Sequence, residues 1–248
     1  MAGTFLLLLA VLTGSAMQRL TGLGFALVAA PFIVLLTGPV TGVILVNICG
    51  TLTAAAVLVR VLPHVEWRKY AILVPAALIG IIPGAIIVQN VPSSWLEVLV
   101  GLIVLISLTL SLTLRAPHNH PGLPPLVFAG SVSGLMNTTA GVGGPALSVY
   151  AIASRWEQTP FAATMQPYFM TIGAASVTAK LLAQPAAMPQ MTAAEWAGLV
   201  LAIVIGLVTG EALSKRIHPA AARRLMIILA YAGATIATGR GIWQIVAS

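Results

Sequence analysis

The sequence predicts an all-α polytopic membrane protein made of two inverted repeats, each a broken or re-entrant helical hairpin plus three transmembrane helices. Three observations predict it. Only 7% of the 248 residues are charged and 59% are hydrophobic, with a mean hydropathy of +1.03. A soluble domain carries roughly 25% charged residues to face water, so the solvent here is mostly lipid. The apolar runs are continuous and about as long as a 20-residue membrane span, whereas a transmembrane barrel alternates with period two. Finally, a glycine-rich break occurs once in each half of the chain.

Eight apolar units follow one another at residues 4–36, 40–62, 67–91, 95–114, 123–154, 159–183, 194–213 and 220–246. Pro, Gly or charge marks the junctions, as at Gly38-Pro39, Pro63-His64, Val91-Pro92, 117–125, 185–189 and His218-Pro219, because these residues end helices. The apolar start of the first unit resembles a signal peptide, but no basic segment precedes it, so it is read as the first membrane segment. The first and fifth units are the longest. Each is interrupted by small and polar residues, Gln18 to Gly24 in one and Asn137 to Pro145 in the other. Such stretches survive at membrane depth when buried in protein or lining a cavity.

The two breaks read as a duplication. An offset of 119 places Gly22 on Gly141, Gly24 on Gly143, Gln18 on Asn137 and Asn47 on Gln166. Slightly larger offsets relate Glu66-Trp67 to Glu195-Trp196 and Gly80/Gly84 to Gly206/Gly210. The repeats are therefore assigned to 1–116 and 117–248 of one membrane domain. Charge sets their orientation. One basic loop carries Arg60, Arg68 and Lys69, another Lys215, Arg216, Arg223 and Arg224. If every unit crossed the bilayer once, these loops would face opposite sides, against the positive-inside rule. A re-entrant fifth unit puts both in the cytoplasm, with Arg115 and Arg155. By analogy the first unit is also a hairpin, the halves are inverted, and both tips point to the midplane, as in secondary transporters. The other reading is two long kinked helices in a parallel repeat.

Arg19 lies deep in the first unit, the chain has no Asp, and no carboxylate is near it in sequence. A fixed cation in that setting suits a small anionic substrate; the alternative is an arginine holding backbone carbonyls at the break. Helices starting after Gly22/Gly24 and Gly141/Gly143/Gly144 would offer backbone N–H groups to an anion, with Gln18, Thr21, Asn137, Thr138 and Thr139 beside them. Asn47 and Thr51, and likewise Gln166 and Thr171, line the same cavity or bond neighbouring helices. Glu211 is the candidate for proton coupling; protons otherwise travel on the substrate. Lys180 and Arg60 are expected to snorkel at span ends. Tyr150, Trp67, Trp95, Trp156, Trp196 and Trp243 are expected in the aromatic belt, and Gly80/Gly84 and Gly206/Gly210 in helix packing.

Other classes are disfavoured. The net charge of +7 is explained by orientation in the membrane rather than by nucleic acid. A single cysteine, Cys49, permits no intrachain disulfide. No Walker motif is present, the four histidines lie in loops, and His118-Asn119-His120 is a weak metal pattern, so neither enzyme, metal nor cofactor is expected.

The paired breaks (Thr21-Gly22-Leu23-Gly24-Phe25 and Ala140 to Pro145), the polar residues ahead of them and the Asn47/Gln166 positions resemble the sulfite exporter TauE/SafE family over nearly the whole chain. The resemblance implies a multi-pass carrier of the cell inner membrane, often an exporter, for sulfur-containing oxyanions or organosulfonates such as sulfite or sulfoacetate. A homodimer is compatible with it. The alternatives are a passive anion channel, an importer of another small carboxylate or sulfonate, and a non-transporting scaffold.

Overall fold

A computed structural model describes residues 2–113 and 122–247; Arg115 and His118-Asn119-His120 lie outside them. The described chain forms α1 (Ala2–Thr21), α2 (Gly24–Thr37), α3 (Pro39–Val61), α4 (Trp67–Asn90), α5 (Ser93–Thr113), α6 (Leu123–Ala140), α7 (Gly144–Ser154), α8 (Gln158–Ala183), α9 (Ala193–Ser214) and α10 (Pro219–Val246). Short 3₁₀ turns at Leu62–His64 and Pro185–Ala187 complete it. Six of the helices, α1, α3, α4, α5, α9 and α10, are long and apolar enough to cross a membrane. Side chains such as Ile79, Ile82, Ile106, Leu201 and Val208 are exposed on them, as lipid-facing residues must be.

The first and fifth units each become two helices, and glycine is the cause. Gly22 (φ +81°) and Gly141 (φ +75°) take left-handed backbone, which a residue without Cβ adopts freely and which stops a helix. Each closes its helix by donating its N–H to a carbonyl four residues back, Gly22 to Gln18 at 2.8 Å and Gly141 to Asn137 at 2.9 Å. The chain then doubles back. A Cβ on Gly14 of α1 would come within 2.9 Å of Ala29 Cβ in α2, and Ser133 Oγ of α6 donates to Gly143 O at 2.7 Å. In a continuous helix residues 14 and 29 would stand about 22 Å apart. The breaks are hairpins, not kinks.

The arms of the first hairpin are unequal, which corrects the depth expected for its tip. α1 has 20 residues and α2 has 14, so α1 alone reaches about 30 Å, the thickness of the hydrocarbon core. It runs the length of α9, from Thr4 bonded to Glu195 (3.4 Å) to Arg19 paired with Glu211. Arg19 therefore sits near the end of α9 that leads into the basic loop, not at the midplane.

Glycines let α1 and α9 approach closely, and α4 and α6 likewise. Gly206 packs on Leu12 and Ser15, and Gly210 on Ala16 and Arg19. In the same way Gly80 packs on Ser131 and Leu135, and Gly84 on Leu135 and Thr138. Small residues four apart are the common means of such approach in membranes. The aromatic residues divide. Trp67, Trp95 and Trp243 are exposed near helix ends, but Tyr150 and Trp156 are buried. Trp156 is fixed from both sides, its Nε1 donating to Glu66 Oε1 at 2.7 Å and Lys69 lying 3.9 Å over its ring, so it belongs to the core rather than the expected belt.

Candidate functional site

The two hairpins meet where α2 and α7 begin. Between them lies a cavity of about 40 Å³, lined by Gln18, Leu23, Asn47, Thr51, Asn137, residues 141–144 and Phe169, among others. It has room for a few waters or one small oxyanion.

Two amide pairs build its walls, one for each tip. Gln18 Oε1 accepts the Phe25 N–H at 3.1 Å, capping the start of α2 from the helix before it. Gln18 Nε2 donates to Gln166 Oε1 at 3.0 Å, and Gln166 Nε2 donates to Gly22 O at 3.1 Å and Ala162 O at 2.8 Å. At the second tip Asn137 Nδ2 donates to Asn47 Oδ1 at 2.9 Å and Ser176 Oγ at 3.1 Å, while Asn47 Nδ2 donates to Asn137 O at 3.3 Å. All four amides are buried, so each needs these partners.

Two features of the cavity remain open to a ligand. Thr51 Oγ1 is buried without a hydrogen-bond partner. The start of α7 has no side-chain cap, and a Cβ at Gly144 would meet nothing closer than Phe169 at 3.6 Å. Uncapped first-turn N–H groups and the positive end of the helix dipole favour an anion.

Other sequence candidates fall elsewhere. Arg19 does not line the cavity. Contrary to the expectation that it lacks a carboxylate, it is bound to Glu211, which also receives Arg60 at 3.3 Å and Lys215 at 3.9 Å. Thr21, Thr138 and Thr139 spend their hydroxyls on carbonyls of their own helices, and Thr138 also meets Ser176 at 2.8 Å. Thr171 of α8 meets the Tyr70 hydroxyl of α4 at 2.9 Å. Gly24 serves close packing on Met17, while Gly143, which lines the cavity, also packs on Ser133 and Asn137.

Lys180 departs furthest from expectation. It does not snorkel: it is 3% exposed, and its Nζ is buried without a hydrogen-bond partner. It stands four residues beyond Ser176, so its side chain shares the inward face, and the Pro185–Ala187 turn packs over the end of α8. That spacing from Ser176 was the available signal.

A larger vestibule of about 660 Å³ adjoins the tips, and Leu23 and Leu27 line both spaces. Its other walls carry Arg155 and Gln158 at the α7–α8 turn and Arg223 on α10, all exposed. A separate pocket of about 220 Å³ is lined by Thr4, Thr37, Gln190 and Glu195. Its one ionisable lining residue is acidic, whereas those of the vestibule are basic.

The family of the sulfite exporter TauE/SafE matches residues 6–236. The chain belongs to this family. TauE/SafE proteins are membrane transporters of sulfite and related sulfur anions, not enzymes, so the protein is a multi-pass membrane transporter of a small anionic substrate in the lipid bilayer. Comparison with curated proteins and with solved structures returned no match. A TauE/SafE transporter needs an anion site without fixed negative charge, and the cavity between the hairpins is lined by amides, a hydroxyl and backbone, with no carboxylate among its lining residues.

Proposed function

We propose that this TauE/SafE protein is a secondary transporter that exports sulfite or a small organosulfonate across the bacterial inner membrane. The anion binds between the hairpin tips, held by Thr51 and the start of α7, against the wall that Asn137 fixes. The observation that carries the reading is the basic vestibule, which shares Leu23 and Leu27 with the tip cavity and lies on the side of the positive-inside loops. An anion is therefore loaded from the cytoplasm.

The halves 1–116 and 117–248 act as inverted repeats. The packing supports this. An offset of 119 relates Leu12, Ala16 and Arg19 to Ser131, Leu135 and Thr138. These are the residues on which Gly206/Gly210 and Gly80/Gly84 respectively rest. Rocking one half against the other would close the vestibule and open the opposite face. Glu211 is engaged by three cations and lies outside the cavity, so protons are carried by the substrate's own titration rather than through this carboxylate.

Counterflow of sulfite in proteoliposomes tests the reading. Saturable exchange is expected; a non-saturating anion current would instead identify a channel. Charges in a cleft raise local ion concentration and access rates by roughly 10- to 1,000-fold in favourable cases. For these exposed arginines, Arg155→Gln with Arg223→Gln is expected to raise the half-saturation for cytoplasmic loading about 3- to 10-fold and to flatten its salt dependence, as screening implies.

A further inference from the structure

We propose that Lys180 is a binding group for the transported oxyanion on the far side of the tips from the vestibule, an assignment that rests on the transport reading above. Lys180 is buried, its Nζ has no hydrogen-bond partner, and among the described residues it makes no ion pair. Burying an ammonium is costly unless it is paired.

No carboxylate is left to pair with it. Glu211 is held by Arg19, Arg60 and Lys215, Glu66 by Lys69, and Glu97 faces Arg240 at 3.8 Å. Glu195 closes the capping box of α9 with Thr192. Glu157 precedes the opposite end of α8, about 34 Å from Lys180 along the helix and so out of its reach. With no carboxylate among the described residues free to pair with it, an anion from outside the protein is the partner that the transport reading supplies.

The position fits a path. Thr51, with its unpartnered hydroxyl in the tip cavity, rests on Gly173 of α8. Ser176 follows one turn on, bonded to Asn137 and Thr138, and Lys180 one turn beyond that. A polar track thus climbs α8 from the cavity to the cation.

The internal correspondence gives a second, independent reason. Matching Gly84 to Gly210 sets Ala85 where the other half has Glu211. The 119-residue offset sets Lys180 at Val61, beside Arg60. Arg60 and Glu211 form an ion pair; in the second half the counterpart of Arg60 is Ala179, Lys180 follows it directly, and the methyl group of Ala85 stands where the carboxylate was. That leaves the charge free for a diffusible small oxyanion.

Thermal stability of the purified full-length protein, with and without sulfite, tests the proposal alongside counterflow. Sulfite should raise the Tm of the wild type, since a ligand of the folded state stabilises it. Lys180→Met should unfold no earlier than wild type without sulfite, because replacing a buried unpaired charge relieves desolvation, yet should need at least about tenfold more sulfite for the same rise. Lys180→Arg should retain most of the response. An unchanged sulfite response in Lys180→Met overturns the assignment, as does a Lys180→Met protein that fails to fold, since that would make the ammonium a structural element. Absence of any sulfite response in the wild type would instead overturn the reading on which the assignment rests.

Discussion

Replacing Asn137 by Leu is expected to abolish sulfite counterflow, with a loss of more than about a hundredfold. Asn137 donates its two amide hydrogens to Asn47 and Ser176, and so fixes the cavity wall beside the proposed anion. Leu strands both partners in a buried setting, where each unsatisfied polar group costs about 1–3 kcal/mol. It also leaves the cavity wall without its amide. Asn137→Asp preserves shape but turns an oxygen toward Asn47 Oδ1 and adds a negative charge beside the anion, so it should transport no better than Leu. Counterflow by monodisperse protein in liposomes measures this; near-normal transport by Asn137→Asp would reduce Asn137 to a space-filling role.

Gly22→Val is expected to cut the yield of folded protein by tenfold or more. The backbone at Gly22 is left-handed, and a Cβ there would lie 2.8 Å from Ala162 Cβ. Left-handed backbone costs an ordinary residue about 1–2 kcal/mol, and a β-branched one is a marked outlier there. The clash adds to this. Adding Ala162→Gly removes the contact but not the backbone penalty, so it should rescue Gly22→Ala largely and Gly22→Val only in part. Monodisperse yield and Tm in detergent report both effects. Equal rescue of Val and Ala would show that crowding against α8, rather than the left-handed turn, sets the requirement for glycine.

The membrane class was legible because lipid imposes one rule on every exposed side chain. The hairpin breaks were legible for a related reason: Gly22 and Gly141 cannot be replaced where a helix must stop and fold back. The matching positions of Asn47 and Gln166 in the two halves were legible, but their pairing with Asn137 and Gln18 was not, because it depends on how α3 and α8 pack against the tips. What stayed hidden depends on contacts remote in sequence. Arg19 finds its carboxylate 192 residues away in Glu211, and only the packing of α1 along α9 brings them together. Lys180 lies near a helix end, where outward snorkelling and inward burial look alike in sequence; the rotation of α8 decides. Arg155 and Arg223 were read for orientation alone, because a loop charge that faces a vestibule has no local signature.

The position of the bound anion is the most direct measurement. Selenite has the shape and charge of sulfite, and its selenium scatters anomalously, so crystals grown with it locate the ion without assumption. An anomalous peak is expected between Thr51, Asn137 and Gly143, at the start of α7. A peak confined to the Arg19–Glu211 cluster, or to the vestibule at Arg155 and Arg223 with none between the tips, would contradict the site proposed for this transporter.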